Sequence, residues 1–344
     1  MDNQEKGNKK EMLYRNSLYP HAESIFSFRP KSVEEIKDDC FIVIDTNSLL
    51  VPYTTGKASL EQINKIYKLL VDSNRLVIPG QAAREFAEHR VTKLKDLYQQ
   101  ISRKKSSLTL GNYPLLEGLK AYQKAIEIEE KLNEKISEYN KCISKILDNI
   151  SQWYWNDPVS VMYSSLFAQG VVHDIELEES QLRQRIQKDC EYKLPPGYKD
   201  ARKPDEGCGD VIIWYTILEL EQTHKKSVIF VSSDQKADWW SQSEGRPLYP
   251  RFELIEEFRR ISEGQSFHIV KFSSFLDLYG ASQEVIEEVM EEEIQARIEQ
   301  LHSFPKANLI VLASEIERQL RYLIASMGLS EKSQGRFFAD VKLL

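Results

Sequence analysis

The sequence is poor in the residues that would announce several common chemistries. Its four cysteines, Cys40, Cys142, Cys190 and Cys208, are scattered through 344 residues with no Cys-x-x-Cys pair. That spacing suits neither a zinc site nor a disulfide framework, and it reads as reduced thiols in a cytoplasmic protein. The six histidines fall at no ligand spacing and carry no assigned role. Basic charge is in deficit, with 46 Lys and Arg against 53 Asp and Glu and a net charge of -7. The broad positive footprint of a tight duplex-DNA binder is therefore missing. No apolar run approaches the ~18 residues needed to cross a bilayer, and Met1 to Lys10 is polar rather than a signal segment, so no membrane partner is expected. There is no Gly-x-x-x-x-Gly-Lys-Ser/Thr loop, no Gly-x-Gly-x-x-Gly fingerprint and no Gly-x-Ser-x-Gly elbow. Nucleotide hydrolysis by a P-loop, dinucleotide redox chemistry and serine-hydrolase chemistry are all disfavoured.

What is present describes a soluble globular chain, 41% hydrophobic and 29% charged, large enough for two domains or for one domain with a big insertion. Phe41-Ile42-Val43-Ile44 reads as a buried strand of a parallel sheet. It stops abruptly at Asp45-Thr46-Asn47. Leu60 to Val71 carries apolar residues at helical spacing, Leu76 to Pro79 is a second short strand, and Gln81 to His89 starts another helix. Strand, helix, strand, helix implies right-handed crossovers and an α/β fold with a central parallel sheet. Ser227 to Val231 repeats the opening theme, ending in Ser232-Ser233-Asp234, and Lys236 to Trp240 reads as the start of the next helix. Leu254 to Arg260 is one more helix, and His268 to Phe272 a last strand.

Between these elements the pattern changes. The helix begun at Gln81 runs on toward Ile101, and Leu115 to Ile150 is a second long helical stretch, with a break at Ser106 to Pro114. Together they predict a helical hairpin projecting from the core, either plain packing or a lid over a substrate groove. The cluster Trp153-Tyr154-Trp155 is expected to be buried against the sheet rather than to stack bases. Leu194 to Gly209 is a long Pro/Gly loop of the kind that carries function. From Gln283 an acidic helix follows, then Pro305, then an amphipathic stretch from Ala307. The expected organisation is an arm over residues 1–37, an α/β domain over 38–281 with a helical insertion at about 90–190, and a C-terminal helical segment over 282–344 that packs on the core, a second subunit or a protein partner.

Two strands thus end in Asp45 and Asp234, and two helix starts bring Glu85 and Asp210. In an open α/β sheet the crevice beyond the carboxyl ends of the strands is where ligands bind. Any one such Asp would equally cap a helix; the four together are harder to explain that way. No basic cluster accompanies them, so carboxylates this close would raise one another's pKa unless a cation compensates. Hard oxygen donors of this kind select Mg²⁺ or Mn²⁺. Asp238, one helical turn after Asp234, would be a further ligand or a partner behind the ligands.

Ile-Asp-Thr-Asn at 44–47, Arg-Glu-Phe at 84–86, Gly-Asp at 209–210 and Ser-Ser-Asp at 232–234 resemble the acidic motifs of PIN-domain nucleases. Pro-Pro-Gly-Tyr-Lys-Asp at 195–200, Gly-Asp-Val-Ile-Ile-Trp at 209–214, Asp-Trp-Trp at 238–240 and Glu-Leu-Ile-Glu-Glu-Phe at 253–258 bring the chain closer to the PIN-like branch. The resemblance spans roughly residues 38–281. It implies an α/β/α sandwich and Mg²⁺- or Mn²⁺-dependent phosphodiester hydrolysis by metal-activated water, usually on single-stranded RNA. Carried over, Asp45, Glu85, Asp210 and Asp234 would be the catalytic, metal-binding acids. Asn47 would orient Asp45 or a phosphate, and Arg84, Lys199 and Lys236 would touch phosphates. Many relatives have two adjacent acids where this chain has Ser233-Asp234. The resemblance also suits a toxin or phage-defence effector. The alternatives are a DNA nuclease of flap or single-strand type and an inactive PIN-like scaffold for a protein partner.

Overall fold

Every residue of Phe41–Ile44, Leu76–Pro79 and Val228–Val231 is buried, as in strands covered on both faces. The computed structural model, which describes residues 19, 23, 28–176, 178–198, 208–243 and 246–302, builds these segments into the centre of an α/β/α fold. In chain order the elements are α1 (Val33–Ile36), β1 (Phe41–Ile44), α2 (Thr46–Leu50), α3 (Lys57–Asp72), β2 (Leu76–Pro79), α4 (Gly80–Ser102) and α5 (Lys120–Ser151). There follow α6 (Pro158–Phe167), β3 (Val172–His173), α7 (Glu179–Tyr192), α8 (Cys208–His224), β4 (Val228–Val231), β5 (Trp240–Ser243) and β6 (Arg246–Pro250). The last are α9 (Phe252–Ile261), β7 (Phe267–Val270), α10 (Phe272–Leu278) and α11 (Gln283–His302).

Among the described residues, β3-β2-β1-β4-β7 form one sheet, and every pairing in it is parallel. The chain works outward from β1 through β2 to β3, then returns past β1 to lay down β4 and β7. The direction reverses between β1 and β4, which lie in register from Phe41 opposite Val228 to Ile44 opposite Val231. Such a reversal opens a crevice beyond the carboxyl ends of the two strands, because their following helices leave on opposite faces. The acid-bearing segments follow β1 and β4.

The flanking helices obey their apolar periodicity. On α3, Ile63, Ile66, Tyr67 and Leu70 are buried, and the helix gives way to Asn74 at φ 53°. On α4 the buried face is Ala82, Phe86 and Arg90, four residues apart. The predicted hairpin is α4 with α5, and its base holds the buried residues Arg90, Ile143, Leu147 and Ile150. Farther out Leu115, Leu119, Ile128, Leu132 and Tyr139 are exposed. Arg90 and Asp157 fasten the base through a buried ion pair of 2.6 Å.

Two expectations meet a different arrangement. Lys236 to Trp240 does not start a helix; β5 and β6 form an antiparallel hairpin there. Trp239 turns into the core against Phe230 and Trp214, whereas the Trp240 indole donates to the Asp234 carbonyl. Adjacent residues needed on opposite sides require a period of two. Tyr154 and Trp155 are not buried against the sheet but 84% and 57% exposed, at the turn between α5 and α6. Helix α11, at the start of the C-terminal segment, packs on the core, one of the placements expected for it, burying Val285, Ile286 and Val289. Its Glu288 accepts from the Gly56 amide at 2.8 Å and from the Ser59 hydroxyl. The described part of the arm also packs: Lys31 donates its amide to Ser266 Oγ at 2.9 Å. The amphipathic stretch from Ala307 lies outside the described residues. No helix among the described residues is long and apolar enough to cross a membrane.

Candidate active site

Asp45 follows the last residue of β1 and is the N-cap of α2, its Oδ1 accepting the Thr46 amide at 2.7 Å. The capping role and a site role therefore coexist in one residue. Its Oδ2 accepts from Asn47 Nδ2 at 2.5 Å and from Ser232 Oγ at 2.6 Å. Asn47 also accepts the Ser233 amide through Oδ1 at 3.0 Å, and Ser232 Oγ accepts the Asp234 amide at 3.1 Å. A closed set of hydrogen bonds thus ties the ends of β1 and β4 together. Burial first, then the charge of Asp210 and of Asp234, push the Asp45 carboxyl up to about 7 against the pull of Ser232 and Thr46.

Glu85 arrives from the second turn of α4. Its carboxylate accepts from Thr46 Oγ1 at 2.6 Å and from Gln81 Nε2 at 2.9 Å. It lies so close to the first turn of α8 that a Cβ on Gly209 would collide with Glu85 Oε1. Glycine at 209 is what allows the two helices to bring Glu85 and Asp210 to one place. Asp210 lies in the first turn of α8, where the free amides favour an anion.

The sequence shows no basic cluster beside the acids, but the structure brings one cation to them. Lys236 Nζ lies 2.8 Å from Asp234 Oδ2 and 3.3 Å from Asp210 Oδ2. Its backbone amide also donates to Asp234 Oδ1 at 2.8 Å. The residue expected to touch phosphate thus bridges two of the site acids.

Asp238 is elsewhere. It is fully buried, and its Oδ2 accepts the Gly197 amide at 3.1 Å, anchoring the buried Pro195-Pro196-Gly197 turn. One turn of helix was expected to align it with Asp234, but the backbone there is not helical, so it faces the core. Arg84 makes a bidentate pair with Asp174, at 2.9 and 2.5 Å. Lys199 lies outside the described residues.

Several neighbours escaped the sequence reading. Thr46, Gln81 and Ser232 hold the acids by hydrogen bonds, and of these Thr46 and Ser232 gave a signal, as small polar residues at the ends of strands, whereas Gln81 gave none. Asp174 follows a two-residue strand too short to show a period. Glu293, hidden in the acidic run of α11, accepts from Ser233 Oγ at 3.2 Å and from the Ser273 amide and hydroxyl at 3.1 and 2.8 Å.

Among the described residues no three carboxylate, imidazole or thiol side chains converge as a chelate in this arrangement. The donor chemistry nevertheless fits a hard divalent ion. Asp45, Asp210 and Asp234 are close enough to repel one another, and a cationic side chain already stands between two of them.

The parallel sheet with acids gathered at its switch point defines an α/β protein with an acidic crevice at the carboxyl ends of its central strands. The family model described as a PIN like domain matches residues 41–254, well over half of the chain. The chain belongs to the PIN-like domain family, and its nuclease-type function follows at that coarse level. No curated protein and no solved structure matches it.

Proposed function

We propose that the protein is a divalent-metal-dependent nuclease that hydrolyses phosphodiester bonds in single-stranded nucleic acid, with RNA as the favoured substrate. The carrying observation is the gathering of Asp45, Asp210 and Asp234 at the β1/β4 switch point, where Lys236 bridges Asp210 and Asp234, and burial, aided by the charges of those two acids, raises Asp45 to about 7. Asp45, Glu85, Asp210 and Asp234 would hold Mg²⁺ or Mn²⁺. The bound ion would polarise the phosphodiester and ease deprotonation of the attacking water. Asn47 and Ser232 orient Asp45, while Gln81 and Thr46 orient Glu85. Lys236 holds Asp210 and Asp234 together electrostatically, and where a divalent ion neutralised these acids its ammonium would be placed to contact a phosphate oxygen. The preference for RNA rests on the family, because nothing described here reads the 2′-hydroxyl.

The same ammonium suits a second reading, a PIN-like scaffold in which Lys236 permanently replaces the metal. Cleavage of labelled single-stranded RNA and DNA with Mn²⁺, Mg²⁺ or EDTA, for wild type and Asp234→Asn, separates the two. Metal-dependent cutting that falls at least ~100-fold in the variant supports the nuclease. Absence of cutting under every metal, with the variant unchanged, supports the scaffold.

A further inference from the structure

Tyr154 and Trp155 are large aromatic side chains exposed at a tight turn, a position where packing gives no reason for them. The turn is built rather than loose. Arg90 lies under the Trp155 ring, with its guanidinium carbon 4.5 Å from the centroid. The same guanidinium donates to the Tyr154 carbonyl at 2.5 Å, to Asp157 Oδ2 at 2.6 Å and to Ser160 Oγ at 2.6 Å. Asn156 Oδ1 accepts the Tyr154 amide at 2.9 Å. One face of the indole is thus backed by a fixed planar cation whose charge Asp157 already balances. More than half of the side chain still meets solvent.

The platform is tied to the site. Arg90 is five residues after Glu85 on α4, about 7.5 Å along the helix axis. Tyr53 donates its hydroxyl to Asp157 Oδ1 at 3.1 Å and stacks on Phe86, the neighbour of Glu85, at 6.1 Å.

We propose that Trp155, with Tyr154 beside it, is a stacking subsite for an unpaired nucleobase of the substrate strand. The inference rests on the nuclease reading and adds to it a reason for single-strand preference, since only an unpaired base offers its face. Stacking on a preordered aromatic ring tolerates any base and contributes about 1–3 kcal/mol per base, or roughly 5- to 150-fold in affinity.

The test is fluorescence anisotropy of the full chain in EDTA, using a labelled oligouridylate and an abasic oligomer of equal length. Trp155→Ala is expected to weaken oligouridylate binding at least 5-fold, Trp155→Phe to keep most of it, and the abasic oligomer to bind wild type and Trp155→Ala alike. Tyr154→Ala, which leaves the Arg90 contacts in place, is the second variant and is expected to weaken binding less. Oligouridylate binding by both alanine variants within twofold of wild type would overturn the subsite while leaving nuclease activity standing. Wild-type protein that neither binds nor cleaves either oligomer would overturn the nuclease reading and the subsite together.

Discussion

Asp45 and Asp157 occupy the same kind of place and have opposite electrostatic fates. Each has extended backbone, each is buried, and each is the N-cap of a helix. At Asp157 burial would raise the carboxyl, but the Ser160 hydroxyl and amide and the Arg90 guanidinium outweigh it and hold the group below the usual carboxylate range. At Asp45 the hydrogen bonds from Ser232 and Thr46 do not outweigh burial and the charges of Asp210 and Asp234, and the group rises to about 7. A buried carboxylate with its own cation fastens a fold. A buried carboxylate surrounded by other carboxylates is held against its electrostatic preference, and such sites mark function.

Breaking the satisfied member should cost the most. Asp157→Ala leaves the Arg90 charge buried without its partner, and a loss of about 3–5 kcal/mol is expected in chemical denaturation. A loss below 1 kcal/mol would mean that Asp157 does not fasten the base of the hairpin. Glu221 sharpens the contrast from the other side. This fully buried carboxylate at the end of α8 accepts the Lys226 amide at 2.6 Å, while its Oε1 has no hydrogen-bond partner. Burial pushes it up to about 7 despite Lys226 and Lys225. Its folded pKa therefore exceeds its unfolded one, so its stabilising contribution is complete below about pH 4.5 and is lost as pH rises through 7. Glu221→Gln cannot ionise, and it should exceed wild type by on the order of 1–2 kcal/mol at pH 8, with the gap closing near pH 5. Thermal unfolding at the two pH values reads this, and a gap independent of pH would refute it.

The smallest stability effect is expected at Gly209. Alanine there meets only the far end of the Glu85 side chain, so unfolding should move by less than about 1 kcal/mol. Cleavage should nonetheless fall ~10-fold or more, because the Glu85 carboxylate must leave its place. Unchanged cleavage would show that Glu85 is not used where it stands.

The sheet was legible in the sequence because its strands are unbroken apolar runs ending in small polar residues and acids. The ends of β1 and β4 carried the strongest signal, and Asp45 and Asp234 were found there. Asp238 and Trp239 were misread as helical because the residues after Asp234 carry no apolar period. Their positions are set by tertiary demands: an amide at Gly197 and a slot between Phe230 and Trp214. The exposure of Tyr154 and Trp155 was equally hidden, since an aromatic cluster reads as core until Arg90 and Asp157, 67 positions apart, are seen to fill the space beneath it. Lys236 stood in plain view, but only the turn after β4 places its ammonium between Asp210 and Asp234.

The most direct test of the central claim is a paired measurement on Asp45→Asn, comparing Mn²⁺-dependent cleavage of single-stranded RNA with the melting temperature of the metal-free protein. Asparagine with its oxygen toward the Thr46 amide retains the helix cap and removes one repelled charge, while giving up the hydrogen bond that Asp45 Oδ2 accepts from Asn47 Nδ2. Cleavage is expected to be lost, while the melting temperature changes far less than in Asp157→Ala. Cleavage that survives, or a melting temperature that collapses as at Asp157, would contradict the assignment of Asp45 as a functional acid.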